Sequence, residues 1–245
     1  MTITAFIRGG TLLLLAPLVT ICYSLAIAIA IFLFRLPEDT LQRYPRQWAR
    51  LFCRIAGVRV RIEGADQLQV NTGYIYCANH LSQFDIFSFQ GYFPFSFRWL
   101  AKEELFKVPF LGWAMTNAGN IAINRSHGRE ALKSLQQAAE RIKAGTSVLI
   151  FPEGTRSADG ILQPFKGGAM LLAIKAGVPI VPVAFVGSYA VLPKGALFVR
   201  PGTITIKIGT PVMVTGYSSK DKQELAITIH QKVAELLTTG PRPQI

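Results

Sequence analysis

The chain has 245 residues, enough for one sizeable domain with its own core and without need of a second. Half of the residues are hydrophobic and only 16% are charged, below the roughly 25% of an average soluble domain, so the composition leans toward a membrane-associated protein. The formal charge of +12 favours an anionic partner (nucleic acid, phospholipid headgroups or a phosphorylated substrate), and three cysteines without C-x-x-C spacing argue against a disulfide framework or a zinc site.

The excess of apolar residues is concentrated at the start. From Thr11 to Phe34 no residue is charged, and as a helix this run would reach about 36 Å, enough to cross a bilayer. Pro17 keeps open a pair of helices that dips into one leaflet and returns. A single charged side chain, Arg8, precedes the run, whereas Arg35, Arg43, Arg46, Arg50 and Arg54 follow it. The positive-inside rule then places the remainder on the cytoplasmic face of a membrane, which for a bacterial chain is the cytoplasmic membrane. Between Thr40 and Ala56, Leu41, Trp48, Leu51, Phe52 and Ile55 share a helix with four arginines. That helix suits an anionic membrane surface or, equally, packing on a core. Residues 1–57 are therefore expected to form hydrophobic and amphipathic anchoring helices, and 58–245 the functional domain.

From Val58 onward short β-rich runs alternate with helical patterns. The runs are 58–62, 74–78, 98–101, 121–123, 147–151, 180–185 and 203–208. Leu132, Leu135, Ala139 and Ile142 recur at helical spacing, as do Leu225, Ile229, Val233 and Leu236. The expected fold is α/β: a mixed, mostly parallel sheet flanked by helices and preceded by the hydrophobic helical segment. Residues 240–245, with two prolines, read as a frayed tail.

Two of the strand-like runs end in polar residues that can do chemistry. Asn79 and His80 follow the run 74–78, and Asp85 comes five residues after the histidine as an apolar helix-like stretch begins. A carboxylate on one imidazole nitrogen fixes the tautomer and stabilises the imidazolium formed when the other accepts a proton. A histidine merely hydrogen-bonded within a turn is the plainer reading. The second segment, Phe151-Pro-Glu-Gly-Thr-Arg-Ser157, follows the run 147–151. Its Gly154 permits close backbone approach, the Thr155 hydroxyl can donate, and the Arg156 guanidinium can grip phosphate bidentately. A structural Glu153–Arg156 ion pair is the alternative.

Together these two segments, in this order and about 70 residues apart, resemble the first and third signature blocks of the glycerolipid acyltransferase family, and within it the bacterial 1-acyl-glycerol-3-phosphate acyltransferases. Residues 101–112 with Gly119 to Arg125 look like the second block, Val178 to Val183 like the fourth, and Phe165 to Gly168 fit the stretch between. The resemblance implies a His80–Asp85 dyad that deprotonates the sn-2 hydroxyl of a lysophosphatidic acid, which then attacks an acyl thioester directly, with no covalent acyl-enzyme. It also implies that Glu153 and Arg156 serve the acceptor, with Arg156 on its phosphate. Lys102 and Arg125 are further candidates for that phosphate, or else surface charges, and the backbone near Gly154 or Thr155 is a candidate oxyanion donor. The donor would be acyl carrier protein or coenzyme A, and membrane phospholipid and lysolipid the other partners, with no nucleic acid. No G-x-S-x-G, H-E-x-x-H, Walker A or G-x-G-x-x-G pattern occurs, so neither a serine nucleophile nor a metal or other cofactor is called for. Two rival functions remain: acylation of another lysolipid, such as a lyso-ornithine lipid or a different lysophospholipid, and a non-catalytic, basic, membrane-tethered binding protein.

Overall fold

The computed structural model describes the backbone of residues 3–70, 72–124 and 128–239, and the side chains of all of these except 3–8, 12 and 13. Arg125 and the expected tail at 240–245 lie outside the described residues. The elements in chain order are α1 (Ile3–Phe34), α2 (Glu38–Leu41), α3 (Arg43–Ala56), β1 (Val58–Glu63), β2 (Ile75–Ala78), α4 (Phe84–Tyr92), β3 (Arg98–Lys102) and α5 (Leu111–Asn117). There follow β4 (Ile121–Ile123), α6 (Arg129–Lys143), β5 (Val148–Ile150), α7 (Gly168–Ala176), β6 (Ile180–Val186), α8 (Ser188–Val191), β7 (Gly202–Ile208) and α9 (Lys222–Thr238).

The strands form one sheet in the order β1-β7-β6-β2-β5-β3-β4. β6, β2, β5, β3 and β4 run parallel, while β7 is antiparallel to β6 and carries β1 parallel to itself. The sheet is thus mixed and mostly parallel, and all seven β-rich runs of the sequence fall on its strands. β2, hydrogen-bonded on both sides, has all four residues buried, as expected of a central parallel strand covered on both faces. Ile75, Cys77, Val148 and Ile150 point to the side of α6, α7 and α9. Tyr76, Leu149, Val183 and Phe185 point to the side of α3 and α4.

The segment 40–56 divides into α2 and α3, and α3 packs on the core: Ala49, Phe52, Cys53 and Ala56 are buried against α4. Trp48 lies edge-on to Phe52 and Phe87 and gives its indole N–H to Thr20 (3.2 Å). Arg46 and Arg50 donate to the Phe93 and Gly91 carbonyls at the C-terminal end of α4 (2.9 and 2.6 Å), where cations complement unsatisfied carbonyls and the helix dipole. One face of this helix is thus packed on the core, while Arg43 and Arg54 remain exposed.

α1 runs without a break through Pro17. It lies along the flank of the domain rather than projecting from it. Gly9 meets Phe198, Ala16 and Val19 pack on the core beside α3, and Ile27 and Ala30 are buried near α5. Its opposite face is bare: Leu14, Leu18, Leu25, Ile29, Phe32 and Leu33 are all exposed. By length and composition α1 could cross a membrane.

Candidate active site

The C-terminal ends of neighbouring strands β2 and β5 bring the two sequence segments together. Asn79 fastens the first to β6, its amide donating to the Phe185 carbonyl (3.1 Å) and its carbonyl accepting the Phe185 N–H (2.7 Å). The chain then turns into α4, whose first turn carries Asp85. One oxygen of that carboxylate, Oδ2, accepts the N–H groups of Leu81 (2.7 Å) and Ser82 (2.8 Å) and stands 2.9 Å from His80 Nδ1. Asp85 is fully buried and the imidazole nearly so, at 12% exposed. Because Oδ2 is an acceptor, Nδ1 carries the proton, and Nε2 is left with a lone pair for a substrate proton.

The second segment grips the histidine from the other side. The Phe151 ring stacks on the imidazole, centroids 3.8 Å apart and 11° from parallel. Glu153 Oε1 accepts the His80 backbone N–H (2.8 Å), and Ser157 N–H donates to the His80 carbonyl (2.8 Å). Both main-chain polar groups of His80 are therefore held by residues more than seventy positions away. Burial pushes the Glu153 carboxyl up to about 7, against the pull of the His80 and Gln163 amides and with help from the negative charge of Asp85. Glu153 Oε2 and Asp85 Oδ1 are buried without a hydrogen-bond partner among the described residues.

The structural Glu153–Arg156 ion pair is not formed among the described residues. Arg156 stands half-buried beside the exposed turn of Gly154 and Thr155. That turn needs its glycine, since Gly154 sits at φ +83°. Gly154 gives its N–H to the Phe151 carbonyl (3.1 Å), so of the two candidate oxyanion donors Thr155 is the one left. Lys102, at the end of β3, is exposed and paired with Glu104 (3.0 Å). Phe151 as a stacking partner and Ser157 as a clamp were not singled out from the sequence. Both sit inside the quoted block, but nothing in residue spacing says that a backbone amide or a ring faces His80. Among the described residues no group of three or more His, Cys, Asp or Glu side chains is placed to hold a metal ion.

Residues 59–186, more than half of the chain, match the family described as Acyltransferase. The chain belongs to that acyltransferase family. It is 36% identical over 161 residues to the chloroplastic 1-acyl-sn-glycerol-3-phosphate acyltransferase of Brassica napus, covering 65% of this chain and 45% of that one. To the 1-acyl-sn-glycerol-3-phosphate acyltransferase of Pseudomonas aeruginosa it is 38% identical over 174 residues, covering 70% and 66%. The chain spans about half the length of the Brassica napus relative and of the 1-acyl-sn-glycerol-3-phosphate acyltransferase of Chlamydomonas reinhardtii, 45% and 48%. It superposes on the crystal structure of the 1-acyl-sn-glycerophosphate acyltransferase of Thermotoga maritima with a TM-score of 0.79 at 26% identity, over 95% of both chains. The span that matches the acyltransferase family begins in β1 and ends on the last residue of β6. It contains all the site residues above and excludes α1, α2 and α3.

Proposed function

We propose that the chain transfers a fatty acyl group from a thioester of acyl carrier protein or coenzyme A to the sn-2 hydroxyl of 1-acyl-glycerol 3-phosphate, giving phosphatidic acid. The observation that carries this reading is the His80–Asp85 pair, its Nε2 left for a proton, set beside a turn that bears Arg156, a cation with no ion pair among the described residues. The names of the sequence relatives and of the structural neighbour support the same acceptor.

In this mechanism His80 Nε2 takes the hydroxyl proton as the oxygen attacks the thioester carbonyl, and Asp85 stabilises the imidazolium. The tetrahedral intermediate collapses with cleavage of the C–S bond, and the thiolate takes the proton from His80. A thiol has a pKa near 8.5, so it leaves with little help, and removal of the hydroxyl proton is the step that needs a base. No cofactor enters this scheme. A cavity of about 260 Å³ between α1, α3, α4 and α5, walled by Ile27, Trp48, Ile86, Trp99 and Leu111, supplies apolar volume of the kind a fatty chain needs.

The bare apolar face of α1 supports work at a membrane surface. Since α1 lies along the domain, that face is best buried with the helix in the membrane plane, half immersed. Purified full-length protein supplied with labelled acyl donor and a panel of lysolipids should make phosphatidic acid fastest. A preference for lyso-ornithine lipid or for a lysophospholipid with an esterified phosphate would replace the acceptor, and no transfer to any would return the chain to a binding role.

A further inference from the structure

We propose that Lys166 and Lys194 complete, with Arg156, a cradle for the phosphate monoester of the acceptor; this rests on the acceptor reading above. The two lysines come from separate parts of the chain and meet at one turn. Lys166 is fixed before α7 by its own N–H, which donates to the Pro152 carbonyl (3.0 Å), and its ammonium lies over Gly154, 2.9 Å from where a Cβ there would stand. Lys194, in the loop after α8, reaches Thr155 Oγ1 with its ammonium (3.4 Å). Arg156 is the next residue. None of the three cations is ion-paired among the described residues, whereas Lys102, the lysine the sequence offered, is spent on Glu104.

Glu153, the acid that precedes this turn in the chain, forms no ion pair with the cluster among the described residues. Glu153 is buried beneath the turn, and burial keeps its carboxyl partly protonated near neutrality. Gly154, Lys166 and Gly168, the first residue of α7, line one cavity of about 570 Å³, so the positive end of that nine-residue helix faces the same space. Phe151, whose ring stacks on His80, forms part of its wall. A phosphate monoester carries close to two negative charges near neutral pH. In a glycerol 3-phosphate it is separated from the sn-2 oxygen only by C2, C3 and the ester oxygen. The phosphate must therefore sit next to whatever takes the hydroxyl proton, and the 154–156 turn is held there by the Glu153 and Ser157 bonds to His80.

The test uses the full-length protein and its Lys166→Met, Lys194→Met and Lys166→Arg variants. Each Met variant should raise KM for 1-acyl-glycerol 3-phosphate about 3- to 10-fold, the range for removing one exposed charge-assisted contact. The donor KM, kcat and thermal midpoint should stay near wild type, and Lys166→Arg should recover most of the loss. The dissociation constant of a short-chain 1-acyl-glycerol 3-phosphate, followed by phosphorus NMR without donor, should weaken in parallel. An unchanged acceptor KM and dissociation constant, or a rise in the donor KM instead, would overturn the cradle. Weakened phosphate binding in the variants of a protein that transfers no acyl group would keep the cradle and overturn the proposed reaction.

Discussion

Two clusters of charge lie at opposite ends of the same parallel strands, and they are built differently. At the start of β3, Arg98, 6% exposed, donates to Asp39 (2.8 Å) and faces Glu38 (3.8 Å), while Arg141 stands 3.6 Å from the same Glu38. Charge there is met by charge, and the Arg98 guanidinium holds the Asp39 carboxyl below its usual range. At the far end of β2 and β5, Asp85 and Glu153 are met by backbone N–H groups and an imidazole, and Glu153 is pushed up to about 7. The first cluster closes on itself and pins the segment after α1 to the sheet. The second is left with capacity for a proton and, through Arg156 and the lysines, for an anion. A buried charge with its counter-charge in place is an anchor; one without it is held for something that arrives.

The largest expected effect is at the open cluster. His80→Ala should lower acyl transfer by at least about 10²-fold per folded molecule, the scale of a lost general base. Asp85→Asn should fall comparably, since an amide cannot stabilise the imidazolium as a carboxylate does. Rates within tenfold of wild type for either variant would remove the distinction between the two ends of the sheet.

Glu153 sharpens the comparison through pH. Its folded-state pKa lies above the ordinary 4.5, so the folded chain holds this proton more tightly than the unfolded one. Stability is then fully present below about 4.5 and lost as pH rises toward 7, by about 3 kcal/mol for this one group. Glu153→Gln keeps an oxygen for the His80 N–H and should remove that part of the slope. Urea unfolding at pH 5 and pH 8 measures it, and equal slopes for the two proteins would contradict the uncompensated burial.

The smallest effect is expected at the closed cluster. In Arg98→Met, Glu38 and Asp39 are more than half exposed and can return to water. The loss should be about 1 to 3 kcal/mol of unfolding free energy, less than for a pair buried on both sides, with kcat per folded molecule unchanged. A fall in kcat would mean that the two clusters are coupled through the sheet.

The sequence made the strands legible because each is a short β-rich run bounded by turn residues, and it made the dyad legible because five residues span one turn into α4. α7 escaped because, Lys175 apart, its residues are apolar or glycine: Ala169, Met170, Leu172, Ala173 and Ala176 are all buried, and one lysine in nine residues sets no clear amphipathic period. α5, at seven residues, is too short to show one. The partners of Arg46 and Arg50 could not be read from composition, since an arginine capping α4 and an arginine facing lipid look alike in one dimension. Lys194 was invisible for the same reason: it is 39 positions from Thr155 and meets it only through the fold.

The proton transfer at the open end is tested most directly by following thiol release from an acyl thioester donor, with and without 1-acyl-glycerol 3-phosphate, while the protein's intact mass is recorded. Release is expected only when acceptor is present, in one-to-one proportion with phosphatidic acid, with no acyl group on the protein, and at least about 10²-fold slower in His80→Ala. A burst of thiol without acceptor, together with an acyl mass on the chain, would contradict direct attack by a hydroxyl that His80 deprotonates.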